Sequence, residues 1–219
     1  MQAVVVITAA IAAYLIGSVS SAVIISKMIS GRDIREEGSG NAGATNMLRV
    51  HGKGAGVLTL IIDVLKGVVA VLAAILFEKF LSIAAPGGIF VGNLKYLMGL
   101  FVVIGHDFPV FFRFRGGKGV ATSLGVILML NWVIGVSVLI IALLIMIISR
   151  YVSLGSVSAA VVYVGLVLAY MLNEGVIKII WLATAVIMAL LLAIKHSANI
   201  KRLKNGTENK LFAKKKQED

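Results

Sequence analysis

The chain has 219 residues, of which 59% are hydrophobic and 14% charged, and its mean hydropathy is +1.01. Ordinary soluble domains are roughly half apolar, and the apolar runs leave no room beside them for a soluble domain of about 100 residues, so one membrane domain spanning 1–219 is expected. Cysteine is absent, which excludes disulfides, thiolate metal ligands and a cysteine acyl-enzyme, while the net charge of +11 suits loops beside anionic lipid and proves no anionic substrate.

In chain order, the first apolar run extends from Ala3 to Ser26. It has no basic residue ahead of it and its first cation is Lys27, so it reads as an uncleaved helix rather than a signal peptide. Gly17 and Ser21, four apart, suit a close helix-packing seam. Further runs cover Ala55 to Phe77, Gly87 to Gly105, Val120 to Ser149, Val152 to Leu172 and Gly175 to Ile194. All but one suit a single crossing. The run from Val120 to Ser149 would make a helix of about 45 Å, too long for a hydrocarbon core of about 30 Å and short for two full spans. Asn131 and Trp132 are candidates for its turn.

Charge chooses between one crossing and two. With two, the all-α bundle has about seven transmembrane helices, the N-terminus outside and the C-terminus in the cytoplasm. The polar segments 27–54, 106–119 and 195–219 then share the cytoplasmic face, in keeping with the positive-inside tendency. One crossing would export a tail carrying Lys195, Lys201, Arg202, Lys204, Lys210 and Lys214 to Lys216.

The first polar segment reads Gly38, Ser39, Gly40, Asn41, Ala42, Gly43, Ala44, Thr45, Asn46, with Arg49 beyond. Small residues leave amides open and short polar side chains add donors, a composition suited to an anion nest that Arg49 could close with a bidentate fork. A flexible turn-rich loop explains the same residues. The second segment, Gly105 to Gly119, interleaves four Phe with cations and ends Gly116, Gly117, Lys118, Gly119. This suits either a phosphate cradle or an interfacial turn with rings in lipid. It is no Walker A loop, because Phe112 stands where a Gly is required and Gly119 replaces the Ser or Thr, so ATP binding has no support. In the third segment His196 and Asn199 share a helix face. The terminal Lys214 to Lys216 run reads as a tail drawn to anionic lipid.

Within the second apolar run, Asp63 and Lys66 lie three apart, and pairing explains how lipid tolerates them. Support for the loops and contact with substrate are equally open for that pair. His51, His106 and His196 lie in separate segments, so no metal site is expected, and no cofactor is demanded.

Taken together, the GSGNAGATN run at Gly38 to Asn46 with Arg49, the GHDFPVFFRFRGGKGVAT run at Gly105 to Thr122 and the HSANIKRLKNGTENK run at His196 to Lys210 resemble the bacterial acyl-phosphate-dependent glycerol-3-phosphate acyltransferases. The resemblance covers nearly the whole chain. It implies transfer of a fatty acyl group from acyl phosphate to the 1-hydroxyl of glycerol 3-phosphate, giving lysophosphatidic acid and phosphate, in the bacterial cytoplasmic membrane. The His-x-x-x-x-Asp dyad of acyl-CoA-dependent acyltransferases is absent, since Gly56, Phe111 and Lys201 follow the three histidines at that spacing. Catalytic roles then fall to Ser39, Asn41, Lys118, His196 and Asn199. Substrate and phosphate contacts fall to Gly40, Gly43, Thr45, Asn46, Arg49, Gly116, Gly117, Gly119, Arg202 and Glu208. The small-molecule partners are the two substrates and membrane lipid, with the enzyme that makes acyl phosphate as a possible protein contact and no nucleic acid. A transporter or flippase for a phosphate-bearing solute is the competing class. Against it, the charged loops gather on one face and no internal repeat is visible.

Overall fold

The computed structural model describes residues 2–84 and 92–211, and within them the chain is entirely helical apart from loops and turns. The start of the third apolar run at Gly87 and the Lys214 to Lys216 tail lie outside the described residues. The helices are α1 (Gln2–Ser18), α2 (Ser21–Ser30), α3 (Ala44–Ala84, kinked at Gly52, whose φ of 86° is not helical), α4 (Leu94–Asp107), α5 (Val120–Leu130), α6 (Trp132–Ser149), α7 (Val152–Glu174), α8 (Ile179–Lys195) and α9 (Ser197–Lys204). Lipid satisfies no backbone amide, which is why apolar runs of this length fold as helices.

Among the described residues five helical stretches are long and apolar enough to cross a membrane, or six if α8 and α9, bent by 61°, form one span. The first expected helix is two. It breaks at Val19–Ser20, and Ser20 stands in extended conformation ahead of α2. The run from Val120 to Ser149 breaks at Asn131 as its sequence suggests, where the Asn131 side chain accepts a hydrogen bond from the Ile134 amide at 3.1 Å and so caps α6. This leaves α5 only 11 residues, about 16 Å. By length it reaches about halfway across the hydrocarbon core.

Glycines set two close helix contacts. A Cβ on Gly67 of α3 would lie 2.3 Å from the Thr122 carbonyl oxygen, and one on Gly125 of α5 would lie 2.1 Å from that of Val64, so α3 and α5 touch backbone to backbone. Gly17 and Gly105 bring α1 and α4 together the same way. Gly17 thus belongs to a packing seam, as its spacing suggests. Ser21 does not, because it donates to Asp63 Oδ1 at 2.8 Å.

That hydrogen bond belongs to a buried cluster that answers why charge sits inside a span. Lys66 Nζ lies 2.9 Å from Asp63 Oδ1, donates to His106 Nδ1 at 2.6 Å, and reaches the carbonyls of Gly17 and Val19, each at 3.3 Å. Those carbonyls are freed by the break between α1 and α2. One ammonium therefore neutralises a carboxylate and caps a broken helix.

Candidate active site

The three polar segments meet at one end of the bundle. In the first, Asn46 organises the loop: its Oδ1 accepts from the Ser39 amide at 2.8 Å, and its Nδ2 donates to the carbonyls of Ile34 and Glu37 at 3.1 and 3.0 Å. Gly38 has φ +59, and a Cβ there would lie 2.3 Å from Asn46 Oδ1, so the turn requires glycine. Asp33 holds Arg35, and Arg35 donates to the carbonyls of Phe112 at 2.7 Å and Arg115 at 3.2 Å, fastening the first segment to the second. The hydrogen bond to Arg35 holds the Asp33 carboxyl below its ordinary range.

In the second segment Gly117 packs onto His106. Its amide donates to the His106 carbonyl at 3.2 Å, and a Cβ would collide with His106 Nε2 at 2.1 Å. The buried Asp63–Lys66–His106 cluster thus lies directly beneath the glycine loop and fixes the point from which Lys118 projects. Burial, followed by the nearby Arg202, Arg49 and Lys195 charges, pushes Lys118 down to about 8 against the pull of Glu208.

The third segment supplies the partners of Lys118. The Lys118 ammonium donates to Asn199 Oδ1, and Asn199 Nδ2 donates to Glu208 Oε1 at 2.6 Å. Glu208 also accepts from Ser153 at 2.9 Å and from Arg202 Nε at 2.7 Å. Burial alone would raise Glu208, but these three hydrogen bonds and the Arg202 charge outweigh it and hold the carboxyl below the usual glutamate range. His196 is buried, and its Nδ1 donates to the Leu192 carbonyl at 2.9 Å, which leaves Nε2 as the acceptor.

These groups border a cavity of about 600 Å³. Of the residues singled out by sequence, Ser39, Gly40, Asn41, Gly43, Thr45, Asn46 and Arg49 line it, with Lys118, Gly119, His196, Asn199, Arg202 and Glu208. Gly116 and Gly117 do not. They pack behind Lys118, Gly116 against the His106 and Asp107 carbonyls and the Pro109 ring, Gly117 against the His106 ring and the Ala42 carbonyl. The Arg49 side chain makes no hydrogen bond or ion pair among the described residues and stands exposed at the mouth. Sequence reading missed Ser153, Lys195 and Arg35. Ser153 carries no signal of its own beyond a face of small residues shared with Ser156, Ala159 and Ala160 on α7.

From this polar mouth the cavity runs into the membrane zone as an apolar shaft between α3, α5, α6, α7 and α8. Its wall is open on the lipid side, where the lining residues Val57, Leu60 and Leu143 are exposed. A space that is cationic at the water side and apolar within the bilayer fits a lipid bearing an anionic head.

A family model for glycerol-3-phosphate acyltransferase matches residues 7–206. The chain belongs to this family. Among curated members of the acyltransferase family, it is 45% identical over 210 residues to the glycerol-3-phosphate acyltransferase of Clostridioides difficile, covering 94% of this chain and 95% of that one. It is 39% identical over 198 residues to the glycerol-3-phosphate acyltransferase 2 of Thermotoga maritima, covering 90% and 92%. Among solved structures, it is similar to the glycerol 3-phosphate form of PlsY (YgiH), an integral membrane glycerol 3-phosphate acyltransferase. The two share 34% identity with a TM-score of 0.80, over 94% of this chain and 95% of that one. The lysophosphatidic acid form of the same protein aligns with a TM-score of 0.76 at 32% identity, over 94% of each chain. The acyltransferase family thus accounts for a multi-pass enzyme with one polar end.

Proposed function

We propose that this chain transfers a fatty acyl group from acyl phosphate to the 1-hydroxyl of glycerol 3-phosphate, releasing lysophosphatidic acid and inorganic phosphate. The observation that carries the reading is the cavity itself, whose mouth gathers Arg49, Lys118, Lys195 and Arg202 over an apolar shaft. An acyl phosphate is a mixed anhydride with a good leaving group. The protein therefore needs no nucleophile of its own, but it must hold two phosphate-bearing molecules together against their repulsion.

In this assignment Arg49, Ser39 and Asn41 surround one phosphate and the reacting carbonyl, with Gly40, Gly43 and Thr45 shaping the loop and Asn46 bracing it. Lys118 beside Gly119 neutralises the second phosphate. His196 and Asn199 orient glycerol 3-phosphate, while Glu208 holds Asn199 and is itself held by Arg202. Gly116 and Gly117 act through packing, since the Gly117 amide is already spent on His106. The acceptor hydroxyl oxygen attacks the carbonyl carbon, the carbon–oxygen bond to phosphate breaks, and phosphate leaves with the electron pair. The hydroxyl proton has two candidate acceptors, the departing phosphate and His196 Nε2. Near-normal activity of His196→Ala across pH would assign it to the phosphate. Orientation effects of this kind supply about 7 to 11 kcal/mol in favourable cases.

The same reading places the polar segments in the cytoplasm of a bacterial cell and counts seven crossings, with α5 and α8 each taken as one and the N-terminus outside. The enzyme producing acyl phosphate is then its supplier.

The test is a donor comparison on purified protein. Labelled glycerol 3-phosphate is offered with palmitoyl phosphate, palmitoyl-CoA or palmitoyl-acyl carrier protein, with Arg49→Ala as control. Lipid product from the phosphate donor alone, lost in the control, is expected. Equal product from palmitoyl-CoA would overturn the donor assignment.

A further inference from the structure

The apolar shaft has a definite inner end. On α7 the residues that line it beyond Val152, the first of the helix, are Ser153, Ser156, Ala159, Ala160 and Tyr163, so one helix face is small for two turns and then carries a large ring. Tyr163 is buried and braced from behind: Trp181 Nε1 on α8 donates to its hydroxyl oxygen at 3.2 Å, and Trp181 in turn stacks on Tyr96 of α4 with ring centroids 5.6 Å apart. Ile127 of α5 and Val138 of α6 are the innermost lining residues of their helices, and both belong to the same buried cluster as Tyr163. Three helices therefore close the shaft at one level, with the only bulky ring among their lining residues anchored across the bundle.

We propose that Tyr163 is the specificity-determining residue for acyl-chain length, its ring acting as the stop against which the methyl end of the donor chain abuts. The proposal rests on the acyl-phosphate reading given above. Ser153, bonded to the polar network, and Tyr163 are ten residues apart on one helix, a rise of about 15 Å. With carbon–carbon bonds of about 1.5 Å set in zigzag, that length takes roughly a dozen carbons of an extended chain. A longer chain must bend out through the lipid-facing side beside Val57 and Leu143, and so loses the burial that the shaft provides.

The experiment measures kcat/KM for acyl phosphates of ten to eighteen carbons, with labelled glycerol 3-phosphate, on the full chain in lipid nanodiscs. Tyr163→Ala is expected to raise the ratio for long over short donors by on the order of tenfold, since each additional buried methylene is worth about fourfold in binding. Ala160→Leu fills the shaft one turn nearer the mouth and opens no cavity, so it guards against a folding failure of the first variant. It is expected to move the optimum to shorter chains. Tyr163→Phe keeps the ring and removes the bond to Trp181, and the rank order of donors is expected to survive. Product from every donor with the same rank order in wild type, Tyr163→Ala and Ala160→Leu would overturn the length assignment while leaving the acyl-phosphate reading intact. No product from wild-type protein with any acyl phosphate would overturn both.

Discussion

Because burial and neighbouring cations bring Lys118 down to about 8, its ammonium begins to lose its proton within about a unit of neutrality. In the proposed assignment, a phosphate held by that charge would be bound below this value and released above it. The KM for glycerol 3-phosphate is therefore expected to rise as pH passes about 8 in the wild type, and to stay flat through that range in Lys118→Arg, whose guanidinium remains charged. Steady-state kinetics between pH 6.5 and 9.5 reads the difference. Asn199 and Glu208 act as one unit through a hydrogen bond of 2.6 Å. Each alanine variant is expected to cost about 100-fold in kcat/KM, and the double variant little more than the worse single, because paired groups are not additive. Independent, multiplying losses would show that the two do not act through each other. Lys66→Met strands Asp63 and two helix-break carbonyls and is expected to destabilise by about 3 to 5 kcal/mol. Adding Asp63→Leu to it restores part of the loss, which thermal unfolding in detergent measures.

The turn at Asn131 was legible because a run of thirty apolar residues is too long for one helix and Asn is a capping residue. Asn131→Ala removes the cap and is expected to cost about 1 kcal/mol, seen as a drop of a few degrees in the unfolding midpoint. The break between α1 and α2 was not legible. Val19 and Ser20 carry no Pro or Gly signal, and what tolerates the break is an ammonium from α3, a contact forty-odd residues away that no local pattern contains. At the site, the glycines and charged side chains stood out by composition, and most of them do line the cavity. Which glycine faces the cavity and which packs behind the loop depends on His106 and could not be read from the run Gly116 to Gly119. Ser153 was invisible for the opposite reason, being one small residue on an apolar helix whose partner, Glu208, lies on the far side of α8 and α9 in sequence.

Among the described residues the bundle gathers its most heavily charged loops at one end, which gives its orientation a direct test. With no native cysteine, single cysteines report sidedness without background. A membrane-impermeant maleimide is expected to label Lys53→Cys, Arg113→Cys and Asn205→Cys from the cytoplasmic side, and Trp132→Cys and Val176→Cys from the other. Labelling of positions 113 and 132 from one side would reduce the number of crossings. The mouth also has a consequence for fidelity. Ser39, Gly40 and Arg49 are exposed, so in the proposed assignment bulk water would meet the head of the donor while its tail stays dry. Water is itself a hydroxyl nucleophile and outnumbers any acceptor. On that assignment selectivity for the alcohol would come from occupancy: a bound acceptor fills the space that water would take, and an enzyme left without acceptor is expected to hydrolyse its own donor slowly.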